Sequence, residues 1–345
     1  MKKVTLLLIL CILLTMSGCR SGATETGAFV FTDSCGREVQ IAETDSIAPT
    51  GAMAQMVLLP LASDLFCGLA SDWSSDAERY ISSDVLDLPL YGQIFGGKGD
   101  MNLEEILRLS PNLLIDIGET QPGMAEELDR LQEQTGIPTV HIGASLKTMG
   151  ATYQMLGTLL KREQQAAELT AYCEEIYQRT QDIIEDLGPE GKKAVVYCLG
   201  DSGLNVLARG SYHAEVLDLL CQNAAVLDSP SPSGFGSEVD MEQLLLWDPA
   251  YILFAPGSVY GQVSADPLWN RLTAIAGGHY AEVPEGPYNW MGMPPSVNRY
   301  LGLIWLADLL YPEQTRYDLY QEISRYYSLF YDCELTEAQF EELIR

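Results

Sequence analysis

Short apolar runs alternate with periodic polar and apolar positions along most of the chain, which predicts alternating strands and helices. Apolar runs typical of buried strands lie at 65–70, 113–117, 139–142, 194–199 and 251–255. Buried strands that alternate with helices favour an α/β fold with largely parallel sheets. Nearer the N-terminus, residues 29–41 form two short extended runs around a turn, which predicts a β-hairpin.

The chain contains an internal repeat at an offset of 138 residues. Residues 102–111 align without a gap with residues 240–249, and an apolar run follows each copy. Each copy begins with a good N-cap residue, Asn or Asp, and ends with proline. Glu105 and Gln243, three positions after the caps, predict a capping box in both helices. A duplicated unit of one helix and one strand predicts two similar lobes.

Residues 163–187 predict one long helix, because apolar residues recur there every three or four positions. Gly188 and Pro189 end the pattern. At 1.5 Å per residue such a helix is about 37 Å long, which suits a brace between two lobes. The alternative is an ordinary crossover helix in a single large sheet. The apolar stripe consists of Ala166, Leu169, Cys173, Ile176, Thr180, Ile183 and Leu187.

Composition and charge narrow the function. The 345 residues have a globular composition and are enough for two domains. The formal net charge of −28 repels the nucleic-acid backbone, so we expect no binding to nucleic acid.

The N-terminal residues predict export. Two lysines precede an unbroken apolar run at 4–14, which is too short to span a bilayer, and small residues follow up to Cys19. This pattern resembles the lipobox of bacterial lipoproteins. The resemblance implies a signal peptide at 1–18, lipidation of Cys19, and a polar tether at 19–28 that leads from the membrane to the folded part.

The tether, the TDSCGREV hairpin sequence, the duplicated helix–Pro–strand unit and the long helix together resemble the class III solute-binding proteins of ABC importers. That resemblance implies two Rossmann-like lobes, at 29–162 and 189–345, bridged by a rigid helix at 163–188. It also implies cargo bound between the lobes and delivered to a membrane permease with its cytoplasmic ATPase. The family's cargoes include iron–siderophore complexes, haem, cobalamin, bare metals and oxyanions such as molybdate or tungstate, and an iron complex is favoured here.

In that family one glutamate on each lobe docks into arginine pockets of the permease. The matching positions are Glu104 and Glu242, each at the second position of a repeat helix. The alternative is that these acids only interact with the helix dipole.

We expect the cargo site at loops that follow the carboxyl ends of strands, where open α/β sheets bind ligands. The candidate segments include 50–55, 91–99, 230–236 and the start of the helix that follows Ser211. The residues proposed to contact cargo are Asp72, Trp73, Gln93, Arg209, Tyr212, Tyr288, Trp290 and Met291.

Other chemistry is weakly supported. We expect no bound nucleotide, because the glycine-rich segment 92–99 has Gly99 where a P-loop needs Ser or Thr. We also expect no resident cofactor. Only three histidines are present, which argues against a bare metal site; His141 alone is expected to lie where such an ion would need a ligand, and the favoured alternative is that His141 is simply hydrogen-bonded. No nucleophile motif stands out, so we expect no enzyme, although chelatases share paired lobes and remain an alternative. An adhesion or scaffold protein is a further alternative, and the six remaining cysteines allow either free thiols or disulfides.

Overall fold

The computed structural model describes residues 28–94 and 101–345. The predicted signal peptide, Cys19 and nearly all of the tether lie outside the described residues, as do residues 95–99 of the candidate segment 91–99. The predicted hairpin is confirmed by antiparallel pairing of its two strands. The first lobe contains β1 (Phe29–Thr32), β2 (Glu38–Ile41), β3 (Ile47–Pro49), α1 (Ala52–Ala62), α2 (Ser83–Leu86), α3 (Leu103–Leu109), β4 (Leu113–Gly118), α4 (Met124–Thr135), β5 (Thr139–Gly143) and α5 (Met149–Leu160).

The first lobe is built on a parallel sheet in the order β3-β4-β5. Ile47 pairs with Leu113, and Leu114 pairs with Thr139. The sheet residues are almost all buried because helices cover them. The carboxyl ends of these strands therefore meet at one edge.

The long helix α6 (Glu163–Leu187) has the predicted bounds. Six of the seven stripe residues are buried and Leu187 is partly buried, which confirms the apolar stripe. Gly188 ends the helix with a positive φ of 65°. Within the described part of the chain, no helix is long and apolar enough to cross a bilayer.

The second lobe is built on a mixed sheet in the order β11-β10-β6-β7-β9, with β8 paired to β6. Strands β8, β6, β10 and β11 are parallel, whereas β7 and β9 are antiparallel to their neighbours. This lobe contains β6 (Ala194–Leu199), β7 (Asn205–Val206), α7 (Glu215–Leu220), β8 (Gln222–Asn223), β9 (Ser237–Glu238), α8 (Met241–Trp247), β10 (Tyr251–Phe254), α9 (Tyr260–Val263), α10 (Thr273–Ala276) and β11 (Tyr280–Glu282).

The C-terminal helices pack across both lobes. Helix α13 packs against α1 of the first lobe, and α11 packs against α6. One continuous apolar core runs through both lobes and these helices. The predicted range 189–345 for the second lobe therefore includes helices that also contact the first. These helices are α11 (Arg299–Leu310), α12 (Pro312–Thr315), α13 (Leu319–Tyr331) and α14 (Glu337–Leu343).

The repeat is confirmed as two capped helices, α3 and α8, each followed by a strand of a parallel pair. The Asn102 side chain accepts hydrogen bonds from the N–H groups of Glu104 and Glu105, and the Asp240 side chain accepts from Gln243 N–H at 2.8 Å. Helix α3 ends at Leu109 and α8 ends at Trp247. The next residue, Ser110 or Asp248, has a left-handed backbone conformation, and proline follows it.

Two details of the prediction are wrong. Residues 65–70 form only isolated bridges to Ile47 and Leu90 and not a strand. In α3 the second half of the capping box is replaced: Asn102 N–H donates to Tyr91 O at 2.7 Å, while the Glu105 carboxylate pairs with Arg108. For α8 the described residues likewise show no bond from the Gln243 side chain back to Asp240.

Candidate functional site

A cavity of about 270 Å³ lies between the two lobes. The first lobe supplies the start of α1 (51–54) and the segment 116–121 at the end of β4, together with Met124. The second lobe supplies Tyr212, His213, Pro294 and Pro295. The cavity thus lies at the carboxyl ends of β3 and β4, where parallel sheets place ligand sites.

A chain of hydrogen bonds fixes the floor of the cavity. The buried Asp116 carboxylate accepts from Thr50 Oγ1 at 2.6 Å and from His141 Nδ1 at 2.6 Å. His141 is fully buried, and its Nε2 lies 2.9 Å from Thr120 Oγ1. Because an ionised carboxylate can only accept, Nδ1 of His141 carries a proton and donates it in the hydrogen bond to Asp116. The chain orients Asp116 at the cavity wall.

The second lobe closes the cavity with Tyr212 and His213, which lie in a 3₁₀ turn just before α7. The Tyr212 hydroxyl crosses to the first lobe and donates to Ala144 O at 2.7 Å. Burial raises the pKa of Tyr212 to about 12, so the phenol stays protonated and keeps this bond. His213 Nδ1 lies 3.1 Å from Gly292 O. Since a carbonyl only accepts, Nδ1 is the protonated nitrogen and Nε2 carries a lone pair.

Burial lowers the pKa of His213, and nearby Arg299 lowers it further, although the Gly292 carbonyl opposes the shift. At neutral pH the ring is therefore an uncharged imidazole. Gly234 makes room for it, because a Cβ at that position would lie 2.7 Å from His213 Cε1. The ring thus has a fixed tautomer and a fixed place in the cavity wall.

Behind Tyr212 lies a buried cation. The Arg299 guanidinium is 4.8 Å from the centroid of the Tyr212 ring, pairs with the Glu215 carboxylate, and donates to Tyr212 O at 3.2 Å. Glu215 also accepts from Leu146 N–H of the first lobe at 3.2 Å. This group holds the Tyr212 wall against the first lobe.

A family model described as periplasmic binding protein matches residues 69–286, which is more than half of the chain. The chain belongs to the periplasmic binding protein family. No curated protein sequence matches it. Members of this family act outside the cytoplasm, and the solute-binding proteins of ABC importers work with permease and ATPase subunits.

Solved structures of ABC-importer binding proteins share the fold. A solute-binding protein of Sulfurospirillum deleyianum is 24% identical, with a TM-score of 0.81 over 91% of this chain and 98% of the other. The molybdate-bound MolA of Haemophilus influenzae is 19% identical, with a TM-score of 0.70 over 89% and 99%. CeuE of Helicobacter pylori, in a nickel–histidine complex, is 17% identical, with a TM-score of 0.59 over 92% and 99%. The two lobes and long helix of this binding protein are thus those of class III members.

Of the eight proposed cargo contacts, the structure brings Tyr212 to the cavity and Gln93 beside it. Gln93 Oε1 accepts from Ala52 N–H at 3.3 Å, at the start of α1. Asp72, Trp73 and Tyr288 form a different contact between the lobes, in which Tyr288 OH donates to Asp72 O at 3.0 Å and the Trp73 and Tyr288 rings lie 6.1 Å apart.

The other three residues lie away from the cavity lining. Arg209 is at the surface and donates through Nε to Asn223 O at 2.9 Å. Trp290 and Met291 are buried in the core of this binding protein. Their proposed contact with cargo stays a prediction that this arrangement does not favour.

Sequence reasoning missed several lining residues. It considered His141 as a metal ligand but favoured a simply hydrogen-bonded role, and both His141 nitrogens are indeed hydrogen-bonded beneath the floor. His213, which it did not select, is the histidine that lines the cavity. Sequence reasoning also omitted Glu119 and Gln121, although the strand-end rule applied to the run 113–117 would have found both. The segment 50–55, which that rule did select, includes the start of α1 at the cavity.

Within the described residues, no group of three or more His, Cys, Asp or Glu side chains is placed to hold a metal ion. The six cysteines between 28 and 345 are free thiols. The predicted docking residues Glu104 and Glu242 are both exposed, and each is the second residue of its helix. The repeat thus gives both lobes of the binding protein an acid in the same local setting.

Proposed function

We propose that this chain is the lipid-anchored cargo-binding subunit of an ABC importer, and that it carries a metal complex to the permease. The proposed cargo is an iron complex, either a siderophore or haem, or a similar chelate such as cobalamin. The observation that carries the proposal is the cavity between the lobes, lined by residues of both. Its role is capture and delivery, and membership of an extracytoplasmic binding family argues against a chelatase.

Molybdate or tungstate is the alternative cargo. The start of α1 at the cavity favours it, because the N–H groups at a helix N-terminus bind anions.

Thermal unfolding of the protein without its signal peptide tests cargo binding. A cargo at a hundred times its Kd stabilises the folded state by about 2.7 kcal/mol. We expect a concentration-dependent rise in Tm with at least one complex from a panel of ferric siderophores, haem, cobalamin, molybdate and tungstate. A flat Tm across the panel contradicts the proposed cargo class.

The docking role is proposed for Glu104 and Glu242. The variant Glu104→Ala/Glu242→Ala should abolish cargo uptake by cells while cargo affinity stays unchanged. The matched control is Glu126→Ala/Glu337→Ala, which removes two exposed acids from the first turns of α4 and α14. Equal uptake by the two double variants contradicts the docking role.

The lipid anchor is proposed for Cys19. We expect Cys19→Ser to move the protein from the membrane fraction to the soluble fraction and to stop incorporation of a labelled fatty acid. Unchanged labelling places the lipid elsewhere.

A further inference from the structure

The charged groups that line the cavity in the described residues are carboxylates. Asp116 and Glu119 both contribute, and the described lining contains neither lysine nor arginine. An adjoining cavity of about 420 Å³ shares Glu119 and Tyr212 with the first. It adds Asp218 and Lys147, which carry opposite charges, and Glu215, whose charge is offset by Arg299.

The buried cation Arg299 offsets Glu215 and not the lining carboxylates Asp116 and Glu119. Arg299 has no exposed surface, lies behind the Tyr212 ring, and is paired with Glu215. His213 adds no charge at neutral pH, because burial lowers its pKa. Its Nε2 lone pair accepts a proton or binds a metal and repels an anion's lone pairs.

The start of α1 is the feature that favours an anionic cargo, and one of its N–H groups already has an acceptor within this chain. Ala52 N–H donates to Gln93 Oε1. The Asp116 carboxylate lies in the same wall of the cavity. It accepts a hydrogen bond from Thr50, the residue just before Gly51, which is the N-cap of α1. A carboxylate near a helix N-terminus partly neutralises the positive end of the helix dipole. The dipole therefore attracts an anionic cargo less strongly.

We infer that the cavity selects neutral or cationic metal complexes and discriminates against anionic complexes and free oxyanions. The inference rests on the proposed function and names the charge class of its cargo. It favours metal complexes of neutral or positive charge over ferric catecholates and over molybdate. Because Glu119 is exposed and shared by both cavities, it is the carboxylate that cargo charge meets most directly.

The test is calorimetric titration of the signal-free protein with four probes. These are a neutral ferric trihydroxamate, the same complex with a free ammonium group, a ferric tris-catecholate of charge about −3, and molybdate. We expect the neutral and cationic complexes to bind about tenfold more tightly than either anion. Raising the ionic strength from about 0.05 M to about 0.5 M should reduce the difference in affinity between these complexes and the anions, because salt screens the charges of the cavity.

The variant Glu119→Gln removes one lining charge and keeps the shape. It should weaken the cationic complex about fivefold relative to the neutral one and strengthen the anionic ones by a similar factor. The control Glu126→Gln removes an exposed charge from the same lobe outside the cavity and should change no ratio.

Three results overturn the inference. One is an anion that binds as tightly as the neutral complex. Another is a Glu119→Gln variant with unchanged affinity ratios. Either leaves the proposed function intact, because a complex still binds. The third is binding of none of the probes, with no Tm shift from the wider panel, which overturns the proposed function and this inference together.

Discussion

Arg299 and Arg325 allow a direct measurement of what burial does to an ion pair in this protein. Each guanidinium pairs with a glutamate, Glu215 or Glu175, and each lies 4.8 Å from a tyrosine ring centroid. They differ in exposure. The Arg299 side chain is 0% exposed and that of Glu215 is 27% exposed, whereas both members of the Arg325 pair are 47% exposed.

The substitution Arg299→Met leaves the Glu215 carboxylate and the Tyr212 carbonyl without the donor they share. Breaking a buried pair from one side costs about 3 to 5 kcal/mol. We expect the lower end, about 3 kcal/mol, because water still reaches Glu215. For Arg325→Met the expected loss is about 1 kcal/mol, since exposed pairs contribute little.

Urea unfolding of the signal-free protein, followed by tryptophan fluorescence, gives the free energy of unfolding for both variants. The double variant Arg299→Met/Glu215→Leu should recover most of the loss, because it removes the unpaired charge as well. Equal losses for Arg299→Met and Arg325→Met, or no recovery in the double variant, refute the reasoning.

Three further predictions concern single sites. Gly234→Val should weaken cargo binding about tenfold at nearly unchanged stability, because its Cβ displaces His213; calorimetry of the best-bound probe checks this, and unchanged affinity contradicts it. Because the pKa of His213 is lowered from 6.5 in the folded state, the unfolded chain binds the proton more tightly, and stability should fall as pH drops below 6.5. Urea midpoints between pH 7.5 and 5.5 should show a smaller fall for His213→Gln, and parallel profiles count against the assignment. Brief alkylation at pH 8, read by mass spectrometry, should modify the partly exposed thiols and spare the buried ones until denaturant is added, because the reagent does not reach a buried sulfur; a disulfide among these cysteines contradicts the structure. The expected reactive thiols are Cys35, Cys67 and Cys333, and the protected ones are Cys173, Cys198 and Cys221.

Local patterns in the sequence were enough for the elements that frame the site. The bounds of α6 follow from its apolar period and from Gly188, and the ends of α3 and α8 follow from their caps and prolines. These signals depend on residues within one turn of each other. The fold class followed from the same local information, because strand and helix alternation restricts the choice of topology.

Long-range contacts account for the features that were predicted wrongly from the sequence or that it left open. Asn102 N–H donates to Tyr91 O and not to the Glu105 side chain, and the Glu105 carboxylate pairs with Arg108. His141 lies beneath the floor because Asp116 on the neighbouring strand accepts a hydrogen bond from its Nδ1. Spacing along the chain does not encode either partner. The same holds for His213, which reaches the cavity only because the second lobe packs its 3₁₀ turn against the first.

The way the lobes are joined limits how this protein captures cargo. The apolar core is continuous through both lobes, and α6 is tied to α13 by the Arg179–Glu322 and Arg325–Glu175 pairs. A wide opening would expose buried apolar surface at about 25 cal/mol per Å² and break the bond from Tyr212 to Ala144. We therefore expect the cavity to be preformed and small-angle scattering to give the same radius of gyration with and without bound cargo. A contraction of several ångströms on binding is the result that contradicts a fixed brace.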